Sequence, residues 1–343
     1  MYFLPTSIIL IAYAVITLIY TLRNRDLKKK NHVFKNEILI ALLFLIAGVL
    51  FPFMYQFHDP NLNQDSLNFM WLLTSAIYLV EIGIWTVMLL YNGRISRNNP
   101  EIMAERNYTE YCEDIDKNWT DDLKSEFGRK ILHLFTCFII FFFWTLGLFL
   151  DDLRILAKWG LDNYSFSYWM IITVGIGFVI MFQIGDLARL NKFYTLPKWS
   201  KKWYMSMRQE EQCTFIASTP LVLSLIPFLF TSFPIFGAVA LVATGADAVA
   251  CIIGKKYGKI SLRKNSNKTI EGFIAGGVST FLIVIIIMIL YHSWMPVSIQ
   301  KIFLMASVAT ILFLLVDRFT RDISDNILNP LLTGFGIWVI FLL

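Results

Sequence analysis

Apolar residues along this chain come in long, almost unbroken runs, not in the alternation of a strand or the one-sided stripe of a surface helix. Runs of roughly 17 to 25 residues match the length a helix needs to cross about 30 Å of hydrocarbon. Ten stretches qualify: 3–22, 38–57, 69–93, 131–150, 168–185, 216–231, 235–254, 273–292, 301–316 and 327–343. The pattern predicts an all-α, polytopic membrane protein of about ten transmembrane helices. Only "TSFP" divides the sixth run from the seventh, and the last two are short.

Composition points the same way. With 57% apolar residues, 16% aromatics and a mean hydropathy of +0.60, the 343 residues carry more apolar surface than a soluble domain can bury. The first run has neither a basic start nor a small-residue cleavage site, which predicts a retained helix. Cys112, Cys137, Cys213 and Cys251 lie far apart without metal-ligand spacing, so the sequence supports neither a zinc site nor a disulfide framework.

Charge supplies the topology. Segments 23–37, 94–130, 186–215, 255–272 and 317–326 hold 27 of the 30 Lys and Arg residues, and the alternate connectors hold only Arg154, Lys158 and Lys301. Basic residues collect on the cytoplasmic side of short loops, so both termini are expected outside and the basic segments inside. The net charge of +5 therefore reflects orientation and attraction to anionic headgroups, and no basic stripe with interleaved aromatics suggests a nucleic-acid partner. The chain divides into helices 1–93, serving packing or lipid access, a cytoplasmic connector 94–130 long enough for one or two surface helices, and a transmembrane domain 131–343 expected to carry the chemistry.

Within that domain one acid stands out. Asp247 sits in an apolar run eight residues before Lys255, roughly 12 Å beneath the loop that begins there. A bare carboxylate at that depth costs about 2.5 to 3.5 kcal/mol and needs compensation. Gly245, Ala246, Ala248 and Ala250 allow close helix approach, and Gly254 and Gly258 open a loop bearing Lys255, Lys256, Lys259, Arg263, Lys264 and Lys268. Glu271 follows at the start of the next helix, where it also suits the helix dipole. Buried acids facing lysines and exposed amides suit a polyphosphate bound through Mg²⁺. "GKKYGK" has neither Walker A spacing nor a Gly-x-Gly-x-x-Gly fingerprint.

"GADAVACIIGKKYGK" followed by "SNKTIEGFIAG" resembles the nucleotide-site signature shared by CTP-dependent lipid kinases, among them dolichol, polyprenol, phytol and yeast-type diacylglycerol kinases, and by phosphatidate cytidylyltransferases. The long C-terminal signature of the cytidylyltransferases is missing. "DRFTRDISDNILNPLLTG" instead is similar to the kinase branch at Asp325, Asn326 and Pro330, with Asp322, Asp325 and Asn329 on one helix face. "EFGRKILHLF" resembles the kinases' Arg-Lys-x-x-His element through Arg129, Lys130 and His133. In "GDLARLNK" the kinases often carry a Glu where this chain has Asp186, so Asp186 and Arg189 are expected to form a local ion pair. The resemblance covers roughly residues 125–343.

What the resemblance implies is transfer of the γ-phosphoryl group of CTP, with Mg²⁺, to the hydroxyl of a membrane lipid alcohol, dolichol or another polyprenol first and diacylglycerol or phytol as alternatives. It would assign Asp247, Asp325 and His133 to catalysis, and Asp247, Asp325 and Glu271 to the metal. Arg129, Lys130, Lys255, Lys256, Gly258, Lys268, Glu271 and Asn326 would bind the nucleotide. The protein would sit in the endoplasmic reticulum membrane of a eukaryote or the plasma membrane of a prokaryote, its site facing the cytoplasm. Rival readings are a cytidylyltransferase making a CDP-lipid, a transporter and a structural membrane scaffold. A transporter is disfavoured because no duplicated pair of interrupted helices is visible.

Overall fold

The computed structural model describes residues 1–343 except 61, 119–122, 205–210, 264–267 and 321–322, and gives the backbone alone for 115, 116, 118, 123–125, 132 and 201–203. Among the described residues there is no strand, and nine helices are long and apolar enough to cross a membrane: α1 (Leu4–Arg23), α2 (Phe34–Met54), α3 (Gln64–Asn98), α4 (Leu123–Asp152), α5 (Asn163–Lys192), α6 (Phe233–Tyr257), α7 (Ile270–Leu290), α8 (Ile299–Phe319) and α9 (Asp325–Leu342). The protein is an all-α polytopic membrane protein.

The sixth of the ten expected spans becomes a shorter helix, Ser218–Phe230. Its second half, Ile226–Phe230, tightens to 3-10 geometry behind Pro227 and stops at extended Thr231, and Pro234 then starts α6. Conversely, α3 overruns its expected limits at both ends. Asn63 caps its N-terminus by accepting from Asp65 N at 3.0 Å, and 35 residues of helix reach about 52 Å. The connector contributes two short helices, Pro100–Glu105 and Tyr108–Asn118.

The helices pack into two units. The first, Met1–Thr120 with Ile155–Thr219, contains α1, α2, α3 and α5. Hydroxyls knit its interior: Tyr55 and Thr173 each lie on Thr74 at 2.9 Å, and Trp169 Nε1 donates to Thr74 Oγ1 at 3.0 Å. Such cross-helix bonds substitute for the hydrophobic drive that lipid removes.

The second unit, Asp121–Arg154 with Pro220–Leu343, contains α4, α6, α7, α8 and α9. Its two ends differ in chemistry. At one, Trp144 stacks on Phe233 with ring centres 3.8 Å apart, and Tyr291 and Trp294 meet them edge-on. At the other, the starts of α4, α7 and α9 meet the ends of α6 and α8, and the charged residues collect there.

Candidate functional site

The site is built from the second unit's charged end. Val242–Ala246 winds as a π-helical turn immediately before Asp247. A π turn carries one extra residue and rotates whatever follows, and such turns recur where a side chain must be re-aimed. Here the side chain that follows is Asp247, which pairs with Lys130 of α4; their side chains are 16% and 6% exposed. Depth in the apolar run is thus compensated by a lysine from another helix, as the cost of an isolated acid demands.

A second carboxylate organises the neighbouring cations. Glu126, fully buried, holds Arg129 at 2.8 Å one turn along α4 and faces Lys255 of α6 at 3.8 Å. A third cluster lies across the helix ends, where Lys268 Nζ sits 2.5 Å from Asp317 Oδ1 and 3.5 Å from Asp325 Oδ2. Burial works against the Lys268 ammonium, but the Asp325 and Asp317 carboxylates outweigh it and hold its pKa above the usual lysine value. Asp325 occupies the first turn of α9 behind the Ser324 cap.

The glycines explain how the loop is held. A Cβ on Gly258 would lie 2.5 Å from Thr269 Cγ2 and 2.6 Å from its Oγ1, and one on Gly272 would lie 2.6 Å from the Ala250 carbonyl oxygen. Only glycine lets the end of α6 and the start of α7 approach this closely. Gly258 N donates to Gly254 O at 3.0 Å, so its amide is spent closing α6. Lys259 N donates to Glu271 Oε1 at 3.0 Å and ties the loop to the first turn of α7.

Arg129, Lys130, Asp247, Lys255, Lys268 and Asp325 are therefore brought to one end of one unit, with His133 beside them. His133 is 2% exposed, its Nδ1 has no partner among the described residues, and its neighbouring charges are Lys130, Arg129, Asp247 and Asp325. Asn326 is buried, and its carbonyl accepts from Ser224 at 3.1 Å. Lys256 is not brought in: it is exposed beside the Tyr257 ring. Glu271 Oε1 accepts from the loop backbone at Lys259 N, and its Oε2 has no hydrogen-bond partner among the described residues. Asp322 and Lys264 lie outside the described residues. Asp186 and Arg189 form their ion pair, at 3.0 Å and wholly buried, in the first unit. There Arg189 also donates to the Gln212 and Thr214 carbonyls, and Asp186 accepts from Ile216 N at 2.6 Å.

With the geometry in hand, one comparison is informative. A stretch of 160 residues is 28% identical to the CTP-dependent diacylglycerol kinase 1 of Saccharomyces cerevisiae. It amounts to 46% of this chain and 49% of that protein, so the chain spans about half the length of the curated relative it matches. No family model and no solved structure matches.

Sequence reasoning passed over Asp317. It falls at the end of an apolar run beside Arg318, where an acid reads as a solvated helix end, yet it is 9% exposed and faces Lys268. Among the described residues no three His, Cys, Asp or Glu side chains are grouped to cage a metal. Mg²⁺ does not ask for a cage, since it keeps its waters and takes one or two carboxylates plus substrate phosphates. Asp247 and Asp325, each set against a lysine at this end, are a donor set of that size.

Proposed function

We propose that this chain is a CTP-dependent kinase that phosphorylates the hydroxyl of a membrane lipid alcohol, with diacylglycerol the acceptor to test first and polyprenols next. The observation that carries the proposal is the meeting of the Lys130–Asp247 pair with the Asp317–Lys268–Asp325 cluster at one end of a single helical unit. The similarity to a CTP-dependent diacylglycerol kinase supports the nucleotide and the lipid class. The concentration of Lys and Arg in alternate connectors supports a site on the cytoplasmic side.

Phosphoryl transfer asks little covalent chemistry of a protein: positioning and charge stabilisation dominate. Lys130, Lys255, Lys268 and Arg129 supply cations for the phosphate oxygens and the departing diphosphate. Asp247 and Asp325 supply carboxylates, one of which accepts the proton of the lipid hydroxyl as its oxygen bonds to the γ-phosphorus and the bond to the diphosphate breaks. When bound, Mg²⁺ on the aspartates would neutralise charge developing on the phosphate oxygens. Glu126 keeps Arg129 and Lys255 aimed, and His133 packs beneath the cluster.

Purified protein in nanodiscs, given CTP, Mg²⁺ and either diacylglycerol or a polyprenol, tests the proposal in one chromatographic run. CDP and a lipid monophosphate are the expected products. Release of pyrophosphate with a CDP-lipid would make the chain a cytidylyltransferase, and failure to phosphorylate any lipid alcohol would overturn the kinase assignment.

A further inference from the structure

Among the described residues two carboxylates pair with Lys268, and the two are differently placed. Asp325 is at the open mouth of the cluster, its side chain 37% exposed, whereas Asp317 is buried in the last turn of α8 with its side chain 12% exposed. Arg318, next in sequence, lies exposed beside the Phe319 ring and leaves Asp317 to Lys268. Burying an acid in the last turn of an apolar helix is costly, and an apolar residue would pack there more cheaply. Of the two contacts the second, Asp317, is the tighter, at 2.5 Å against 3.5 Å for Asp325. The second carboxylate therefore adds location: reaching Lys268 from another helix, it holds Nζ at one point beside Asp325.

We infer that Asp317 is a positioning residue that fixes the Lys268 ammonium next to Asp325 so that it meets the nucleotide's phosphates. The inference rests on the proposed function, because it takes Lys268 to be a phosphate contact. Asp317 itself touches no substrate and acts through Lys268.

The test has one readout that needs no turnover. In nanodiscs, brief acylation with a water-soluble amine-reactive ester, followed by peptide mass spectrometry, measures the reactivity of Lys268 with exposed Lys256 and Lys259 as internal standards. Lys268 is more than a third exposed, so the reagent reaches it, and its two carboxylates should keep it slow to react. Asp317→Asn should speed acylation at Lys268 several-fold and leave Lys256 and Lys259 unchanged. In the kinase assay it should raise KM for CTP more than it lowers kcat, and the Asp317→Asn/Lys268→Met double variant should be no worse than Lys268→Met alone. Asp317→Glu, which keeps the charge, should hold Lys268 reactivity near wild type and serves if the Asn variant does not fold. Unchanged Lys268 reactivity in Asp317→Asn, loss of protection in Asp317→Glu, or losses that multiply in the double variant would overturn the inference. A wild-type chain that phosphorylates no lipid but shows the Lys268 change would sink the proposed function and leave the contact standing.

Discussion

Asp247→Asn leaves a buried ammonium without its counter-charge, and the structure sets the size of the effect. Lys130 is 6% exposed at its side chain and Asp247 16%, so neither charge is adequately solvated by water. Breaking a buried pair by removing one partner costs about 3–5 kcal/mol, because the remaining charge stays behind. The partial exposure of Asp247 puts this case at the lower end, about 3 kcal/mol. For a domain of this size that corresponds to a fall in Tm of roughly 6–12 °C. Removing both charges together in Lys130→Met/Asp247→Asn should recover most of the loss, to within about 1 kcal/mol of the parent. Activity should not follow stability: the single and the double variant should both lose phosphoryl transfer by about a hundredfold or more, the scale of a missing acid–base or charge-stabilising group. Scanning fluorimetry in nanodiscs and CDP release from the same preparations give the two measurements. A double variant as unstable as the single would show that the pair is not buried as described. A stable double variant that still turns over would remove the pair from the reaction.

Gly258→Ala drives a methyl into Thr269 and the Gly254 carbonyl, and overpacking of this kind costs about 1–3 kcal/mol; it should lower Tm and raise KM for CTP together, and a silent variant would refute the close approach of α6 to α7. Asp186→Asn strands fully buried Arg189 in the first unit and should cost about 3–5 kcal/mol, read as lower Tm and faster protease nicking near residues 212–216. Lys268 yields a pH signature. Its pKa in the folded protein is raised, so its contribution to stability is complete below the ordinary lysine value of 10.5 and is lost as pH climbs through the raised value. Lys268→Met should therefore be less stable than wild type at neutral pH, with the gap closing in strong alkali; a gap constant with pH would refute the ion pairs.

The spans were legible because hydrocarbon thickness sets a minimum apolar length that shows directly in the sequence. The exception is instructive: 216–231 is apolar enough to cross, but Pro227 and the break at Thr231 shorten it, and hydropathy does not register backbone geometry. Asp247 was legible because an acid in an apolar run demands a partner. That the partner is Lys130, 117 residues away, depends on how α4 and α6 are rotated. The π turn before Asp247 decides that rotation, and "VATG" carries no mark of it. Adjacent Lys255 and Lys256 look equivalent in sequence; about 100° of helix turn sends one toward Glu126 and the other outward. Asp317 was missed for the same reason, since its meaning comes from where Lys268 ends up.

The ion pairs also suggest how such a cluster could be both stable and useful. Among the described residues, the carboxylates of Glu126, Asp247, Asp317 and Asp325 meet the cations of Arg129, Lys130, Lys255 and Lys268 at one end of the second unit. Interleaving opposite charges is what lets the buried members of this set stay ionised, since breaking a buried pair by removing one partner costs about 3–5 kcal/mol. The partners in the Lys130–Asp247, Lys255–Glu126 and Lys268–Asp317 pairs come from different helices or connectors, so the pairs also tie α4, α6, α8 and the start of α7 together. On the proposed function, a phosphate that takes a lysine must release a carboxylate, and the carboxylate released is a group suited to a divalent cation. Nucleotide and metal would then support one another's binding by exchanging partners within the cluster, a coupling that neither ligand alone can draw from it.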